Sequence, residues 1–459
     1  MRFAATLHFP IPALVATATL INGQVRTCLA SASDTVSEQA PANDSDNRTD
    51  DKEAEAQEKE QNGNAEPGTA GIAPEGISDA RTESTWKDSL TPSGISLSLS
   101  YSADFFYNAK GGRNTSGADQ YRGLLGIDLT LDTEQIGLWP GGTFFLSAFE
   151  NHGSDITERH LGDLQVLNNA DAANDIRFYE YWYEHVFFDE KLRLKLGKID
   201  ANNDFAGGLY RDEFVHSSAG FSPTMPLPTW PEPALGVVLR LEPTDWLYVS
   251  GGIFDALGTG TRSGFETAFH SPDEVFAIAE LGILTSLTIG EQRELPGQYA
   301  IGGWYHSGVW PVYFNDLDGR LPPRSETGNA GLYLTFDQFL YREPVQEAES
   351  DQGLGVFFQF GWAPSDRNEI TQHYGGGFQY YGPIPSRDQD VVGLGVQHVS
   401  LGSRIQSLEK RYSETAIEFF YKVQVSECLS IKPDLHYIIN PGGAGRDAIV
   451  AGVRVEVSF

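Results

Sequence analysis

The closing stretch VAGVRVEVSF, residues 450–459, puts Ala451, Val453, Val455, Val457 and Phe459 on one side of an extended chain and Gly452, Arg454, Glu456 and Ser458 on the other. Successive side chains of a strand point to opposite faces, so this is a strand with one apolar and one polar surface. The pattern returns just upstream. Ile417, Phe419, Tyr421, Val423 and Val425 oppose Glu418, Phe420, Lys422 and Gln424, while Leu435, Tyr437 and Ile439 oppose Asp434, His436 and Asn440. A soluble sheet can show such a face once. Recurring with aromatic apolar faces, the pattern is the signature of a strand between lipid and a wet lumen.

Working back from the C-terminus, further segments of this kind fall near 390–399, 373–381, 354–363, 329–340, 298–307, 275–287, 245–254, 234–242, 191–199, 176–187, 142–150, 121–132 and 95–107, giving 16 in all. An even count suits a single-chain bacterial barrel with both ends in the periplasm. Connection lengths alternate independently of the strand patterning. Glu242-Pro243-Thr244, Phe188-Asp189-Glu190 and Glu427-Cys428 read as short periplasmic turns, and 151–175, 255–274 and 308–328 as longer extracellular loops. The predicted fold is all-β, a 16-stranded antiparallel transmembrane β-barrel over 91–459. A large soluble β-sandwich is the alternative, but its outward faces would rarely stay so aromatic.

Composition agrees. The chain has 63 acidic against 32 basic residues, a net charge of −31, and 40% hydrophobic residues. It lacks the roughly 18–20 consecutive apolar residues of a helical span. The charge also argues against nucleic acid as a partner, which requires clustered Lys and Arg. Residues 1–32 read as a secretory signal, with Arg2, an apolar run from Ala13 to Ile21 and cleavage after Ala32. The next stretch, 33–90, holds 15 acidic and 5 basic residues and almost no large apolar side chain, so it is expected to be a disordered periplasmic segment.

Function should lie where the barrel narrows. Residues 200–233, DANNDFAGGLYRDEFVHSSAGFSPTMPLPTWPEP, are too many for a plain link and too apolar to lie wholly in water. They are expected to fold inward as a constriction loop offering Tyr210, Arg211, Asp212, Glu213 and Trp230 to solute. The alternative is an extracellular cap. On the flanking strands Glu180, Trp182 and Glu184 alternate with Tyr179, Tyr181 and Tyr183, and Arg193 and Lys195 with Leu192, Leu194 and Leu196. The tyrosine and leucine faces suit lipid and the charged faces the lumen, with Glu184 opposite or diagonal to Arg193 and Trp182 near Lys195. Ionised groups can pair with sugar hydroxyls while an indole accepts the sugar's C–H face.

Enzymatic motifs are missing: no G-x-S-x-G, H-E-x-x-H or C-x-x-C occurs, and the histidines are scattered singly. No catalytic residue, cofactor or metal site is read from the sequence.

The chain resembles the carbohydrate-selective porin (OprB) family across nearly all of 91–459. The resemblance rests on GLWPGGTFFLSAFENHG (137–153), IRFYEYWYEHVFFDEKLRLKLGKIDANNDFA (176–206), LPGQYAIGGWYHSG (295–308), GLGVFFQFGWAPSDRNEI (353–370), PSRDQDVVGLGV (385–396) and ETAIEFFYKVQVSECLSIKPDLHYIINPGG (414–443). It implies a 16-stranded outer-membrane barrel that takes up glucose and related sugars passively through an eyelet of charged and aromatic residues. The acidic segment departs from the family pattern. Expected partners are small sugars as permeating solutes, outer-membrane lipid and the barrel-assembly machinery reading Phe459; homo-oligomer formation is left open. The competing reading is a general cation-preferring pore, since residues 91–459 keep a charge of −23.

Overall fold

The computed structural model describes residues 93–256, 274–288, 295–312, 324–343 and 352–459. The signal and acidic segment expected over 1–32 and 33–90 lie outside them. Sixteen strands follow in order: β1 (Ile95–Lys110), β2 (Asp119–Asp132), β3 (Gly142–Gly153), β4 (Asp175–Phe187), β5 (Leu192–Ile199), β6 (Ala234–Thr244), β7 (Leu247–Asp255) and β8 (Val275–Leu287). The second half comprises β9 (Leu295–Val312), β10 (Arg324–Arg342), β11 (Gly353–Trp362), β12 (Ile370–Tyr381), β13 (Val391–Leu401), β14 (Ser413–Ser426), β15 (Leu429–Ile439) and β16 (Ala448–Ser458).

Every strand pairs antiparallel with its chain neighbours, and β1 pairs with β16, setting Asp104 opposite Arg454 and Phe106 opposite Gly452. Closure gives every edge N–H and C=O a partner, which is what lets a sheet exist in hydrocarbon. Among the described residues no helix is long and apolar enough to cross a membrane. One expected turn moves: β6 continues through Glu242-Pro243-Thr244 and Thr244 pairs with Leu247, leaving Asp245 and Trp246 as the turn.

The outward face is an apolar band. Phe105, Leu239, Ile253, Leu281, Leu334 and Phe419 are all exposed, as lipid-facing residues of a barrel should be. Trp139 and Trp246 stand exposed in the β2–β3 and β6–β7 turns at one rim, and Trp139 Nε1 donates to the Tyr183 hydroxyl (2.8 Å). Amphipathic rings suit that interfacial level. Phe459, which alternation assigns to the lipid side, is covered, and its main chain exchanges hydrogen bonds with Leu99 at 2.8 and 3.0 Å.

Inside, the barrel is partly filled by its own connections. Phe205, Met225 and Leu227 from the β5–β6 connection pack with Phe254, Phe276, Trp304 and Tyr333 of the wall. Phe214 meets Phe357 and Phe420. The inward fold expected for 200–233 is therefore present. The β3–β4 connection, expected to be a plain extracellular loop, also turns in: Leu161 and Leu167 share a core with Val215, Phe106 and Ile438.

A bulge corrects the alternation on β4. Ser147 of β3 lies between the pairs Leu146↔Tyr181 and Ala148↔Phe178, so one residue faces both Tyr179 and Glu180. The extra residue shifts the side-chain phase. Tyr179, expected against lipid, instead points inward, where its ring packs on Phe149 and Trp230 and its hydroxyl donates to Asp200.

Candidate functional site

The site is built where the β5–β6 connection crosses the lumen. A backbone inside a barrel must satisfy its own N–H groups without sheet partners. Carboxylates projecting from the inner wall do this. Glu180 on β4 accepts the Asp200 N–H (2.8 Å) and the Asn203 side-chain amide (3.2 Å) at the start of the loop. Glu280 on β8 accepts the Ala206 N–H (2.8 Å). Asp337 on β10 takes Leu209 and Tyr210 (3.0 and 3.3 Å), and Glu418 on β14 takes Val215 and His216 (2.7 and 2.9 Å). A buried N–H left without an acceptor costs roughly 1–3 kcal/mol, so this series of side-chain acceptors holds the loop firmly on the wall. Glu414 on β14 does the same for the β3–β4 connection, accepting from the N–H groups of Leu164 (2.8 Å) and Gln165 (3.1 Å).

Glu280 is itself held by two tyrosines, the hydroxyls of Tyr248 and Tyr333 each donating at 2.8 Å. Their rings lie over Gly282 and Gly302, the residues directly across the ladder. A Cβ at either glycine would come within 2.0 Å of a ring, so the missing side chain is what admits the tyrosine.

The site residues expected from sequence divide into two groups. Glu180, Lys195 and Arg211 are buried fasteners, at 4%, 7% and 4% exposure. Lys195 Nζ donates to both oxygens of Asp204 (3.0 and 2.9 Å), and Arg211 donates to Gln359 (2.6 Å) and to the Ala206 carbonyl. Tyr210 is buried too, its hydroxyl on the Pro296 carbonyl (3.0 Å). Trp230 is half-buried between Phe149 and Tyr179, with ring centroids 4.6 and 5.4 Å away.

The second group is open to the lumen. Glu184 pairs with Arg193 through contacts of 2.9–3.3 Å, and Trp182 stacks on Phe145 (4.9 Å) with Lys195 Nζ 4.6 Å from its ring centroid. Glu184, Arg193 and Trp182 are half-buried, and with the buried Lys195 they occupy the register that alternation gives: Glu184 is directly across from Lys195 and diagonal to Arg193. On the loop, Asp212 is exposed. Glu213 is half-buried and binds Lys422 (2.6 Å) and Lys432 (3.4 Å) of β14 and β15. Enclosure within the barrel and the neighbouring Glu213 charge push the Asp212 carboxyl up to about 6, against the opposing pull of Lys422 and Lys432.

Sequence reading missed Asp204, Glu280, Asp337, Glu418, Lys422 and Lys432. A signal was available for three of them: Glu280, Asp337 and Glu418 are the lone charged residues in largely apolar and aromatic segments, FAIAELGIL, YLTFDQFL and AIEFFY. A lone carboxylate on such a wall needs a donor, and here the donor is a loop N–H.

The carbohydrate-selective porin, OprB family model matches residues 116–459. This chain belongs to that family. Porin B of Pseudomonas aeruginosa is 22% identical over 411 residues, covering 81% of this chain and 88% of the relative. A putative porin, QuiX, of Acinetobacter baylyi is 20% identical over 426 residues, covering 81% and 91%. The high-pH structure of Pseudomonas putida OprB superposes with a TM-score of 0.69 at 20% identity, covering 80% of this chain and 94% of that one, a likeness of fold. This OprB-family protein is thus an outer-membrane porin for the passive diffusion of sugars, and its family and fold are those of a channel rather than an enzyme. The fold and family expected from sequence hold.

Proposed function

We propose that sugar passage in this porin is controlled at one eyelet, between the wall residues Trp182, Glu184 and Arg193 and the loop residues Asp212 and Glu213. The observation that carries this reading is the inward course of the β5–β6 connection, whose N–H groups are held by Glu280, Asp337 and Glu418 on three separate strands. Selectivity in a pore is set by the groups lining its narrowest part, not by its mouths. Glu184 and Arg193 offer an acceptor and a donor fork to sugar hydroxyls, and Trp182 offers an apolar edge to the C–H face. Lys195 and Arg211 support the eyelet from behind. Glucose-type monosaccharides match this mixture of ionised and aromatic groups.

Outer-membrane lipid covers the apolar band, and the terminal strand ending in Phe459 delivers the chain to the assembly machinery. The deciding experiment is liposome swelling with sugars of increasing size, run beside reversal potentials in a KCl gradient. Removing residues 207–222 should raise conductance and relax size selection. Unchanged conductance and sugar block would place the selecting site elsewhere; strong cation preference without sugar discrimination would favour the general cation pore.

A further inference from the structure

Three acid and imidazole groups converge on the inner wall at β14 and β15. Glu418 and His436 are a direct cross-strand pair, and Asp434 precedes His436 by two residues on the same face. One donor atom from each of the three lies within 4.8 Å of the others. They are sealed from solvent, with exposures of 2%, 5% and 0%. His216 of the β5–β6 connection, 1% exposed, stacks obliquely over His436, with ring centroids 6.2 Å apart.

These groups are short of partners. Among the described residues, neither ring nitrogen of His216 or His436 and neither oxygen of Asp434 makes a hydrogen bond. His436 Nε2 comes within 3.0 Å of Asp434 Oδ1 but off the bonding angle. Neighbouring cations are engaged elsewhere: Lys432 Nζ with the Glu213 carbonyl (2.6 Å), and Arg454 with Asp104 (2.6 and 2.8 Å). Burying two carboxylates side by side around one imidazole, with no lysine or arginine among them, is costly.

We propose that Glu418, Asp434, His436 and His216 form a site for a divalent first-row transition ion, with Zn2+ as the type case. Two carboxylates neutralise a divalent charge, and the imidazoles add the nitrogen donors that favour such ions over Mg2+ or Ca2+. Donor-to-metal distances of about 2.0–2.2 Å require the three wall donors to close by roughly 1 Å, within reach of side-chain rotation. His216 rides on the segment whose N–H groups already sit on Glu418. The ion therefore ties the inward loop to the wall far from its roots on β5 and β6. Simple proton sharing by His436 between Asp434 and Glu418 is the rival arrangement, and it predicts no metal.

The test uses the full porin purified from outer membranes, its metal content measured by elemental mass spectrometry. The chain is then unfolded with EDTA and refolded with Zn2+ or with Co2+ as a visible-absorption probe. The expected result is one ion per chain, with affinity lowered about tenfold or more in His216→Ala. His436→Gln and Glu418→Gln should abolish binding, while His185→Gln, remote from the cluster, keeps it. Heat-modifiable gel mobility establishes that each variant is a folded barrel. Should His436→Gln fail to fold, His216→Ala and the wild-type stoichiometry decide alone. Absence of stoichiometric binding by the wild type, or binding unaltered in folded His436→Gln or His216→Ala, overturns the proposal.

Discussion

Replacing Asp337 by Asn should loosen the inward loop without deleting any of it. Asp337 Oδ1 accepts the N–H groups of Leu209 and Tyr210 at 3.0 and 3.3 Å from a fully buried position. A hydrogen bond to an ionised acceptor contributes roughly 1.5–3 kcal/mol and a neutral one roughly 0.5–1.5, so neutralising the shared acceptor should cost about 2 kcal/mol over the two bonds. At 1.4 kcal/mol per factor of ten, local opening of the loop becomes about 30-fold more frequent. Asp337→Leu removes the acceptor and orphans both donors, which costs about 2–6 kcal/mol. Hydrogen–deuterium exchange of peptides covering 205–216, in detergent or nanodiscs, reads this opening directly. Single-channel recording should show added open-level noise and brief steps of higher conductance. Unaltered exchange and conductance in Asp337→Leu would refute the view that wall carboxylates hold the loop.

Four further outcomes follow from the same geometry. Lys195→Met strands Asp204 in a buried position and should lower stability by about 3–5 kcal/mol, seen as a lower guanidinium midpoint, with Lys195→Arg close to wild type. Lys195→Glu should impair folding rather than merely change ion preference, because it places a third carboxylate beside Glu184 and Asp204, the two within reach of Lys195 Nζ. Trp182→Ala should weaken sugar block of ion current about 2- to 10-fold, in line with the roughly 0.5–1.5 kcal/mol of an aromatic contact, while potassium conductance stays near wild type. The Asp212 carboxyl, raised to about 6, is ionised at pH 7.5 and protonated at pH 5, so cation preference should fall across that interval, and Asp212→Asn should remove the step in reversal potential.

Much of the barrel was legible residue by residue because its wall separates two solvents, lipid and water, and alternation records that boundary in each strand separately. VAGVRVEVSF alone is enough to set one strand and its two faces, and repeated alternation with alternating turn lengths sets the count and topology. The apolar content of 200–233 likewise announced that this connection could not lie in water. Tertiary structure decided the rest, because closure and the inward loops join residues far apart in the chain. Arg454 meets Asp104 350 residues away, and Lys432 reaches Glu213 219 residues away. The bulge at Ser147 turned Tyr179 from lipid to lumen, since one unpaired residue reverses a period of two. Lys195, read as a lumen-facing charge near Trp182, is neutralised by Asp204 because the loop re-enters beside β5. His216, His436, Asp434 and Glu418 appear singly along the sequence and become one cluster only when β14, β15 and the crossing loop share the same few ångströms of lumen.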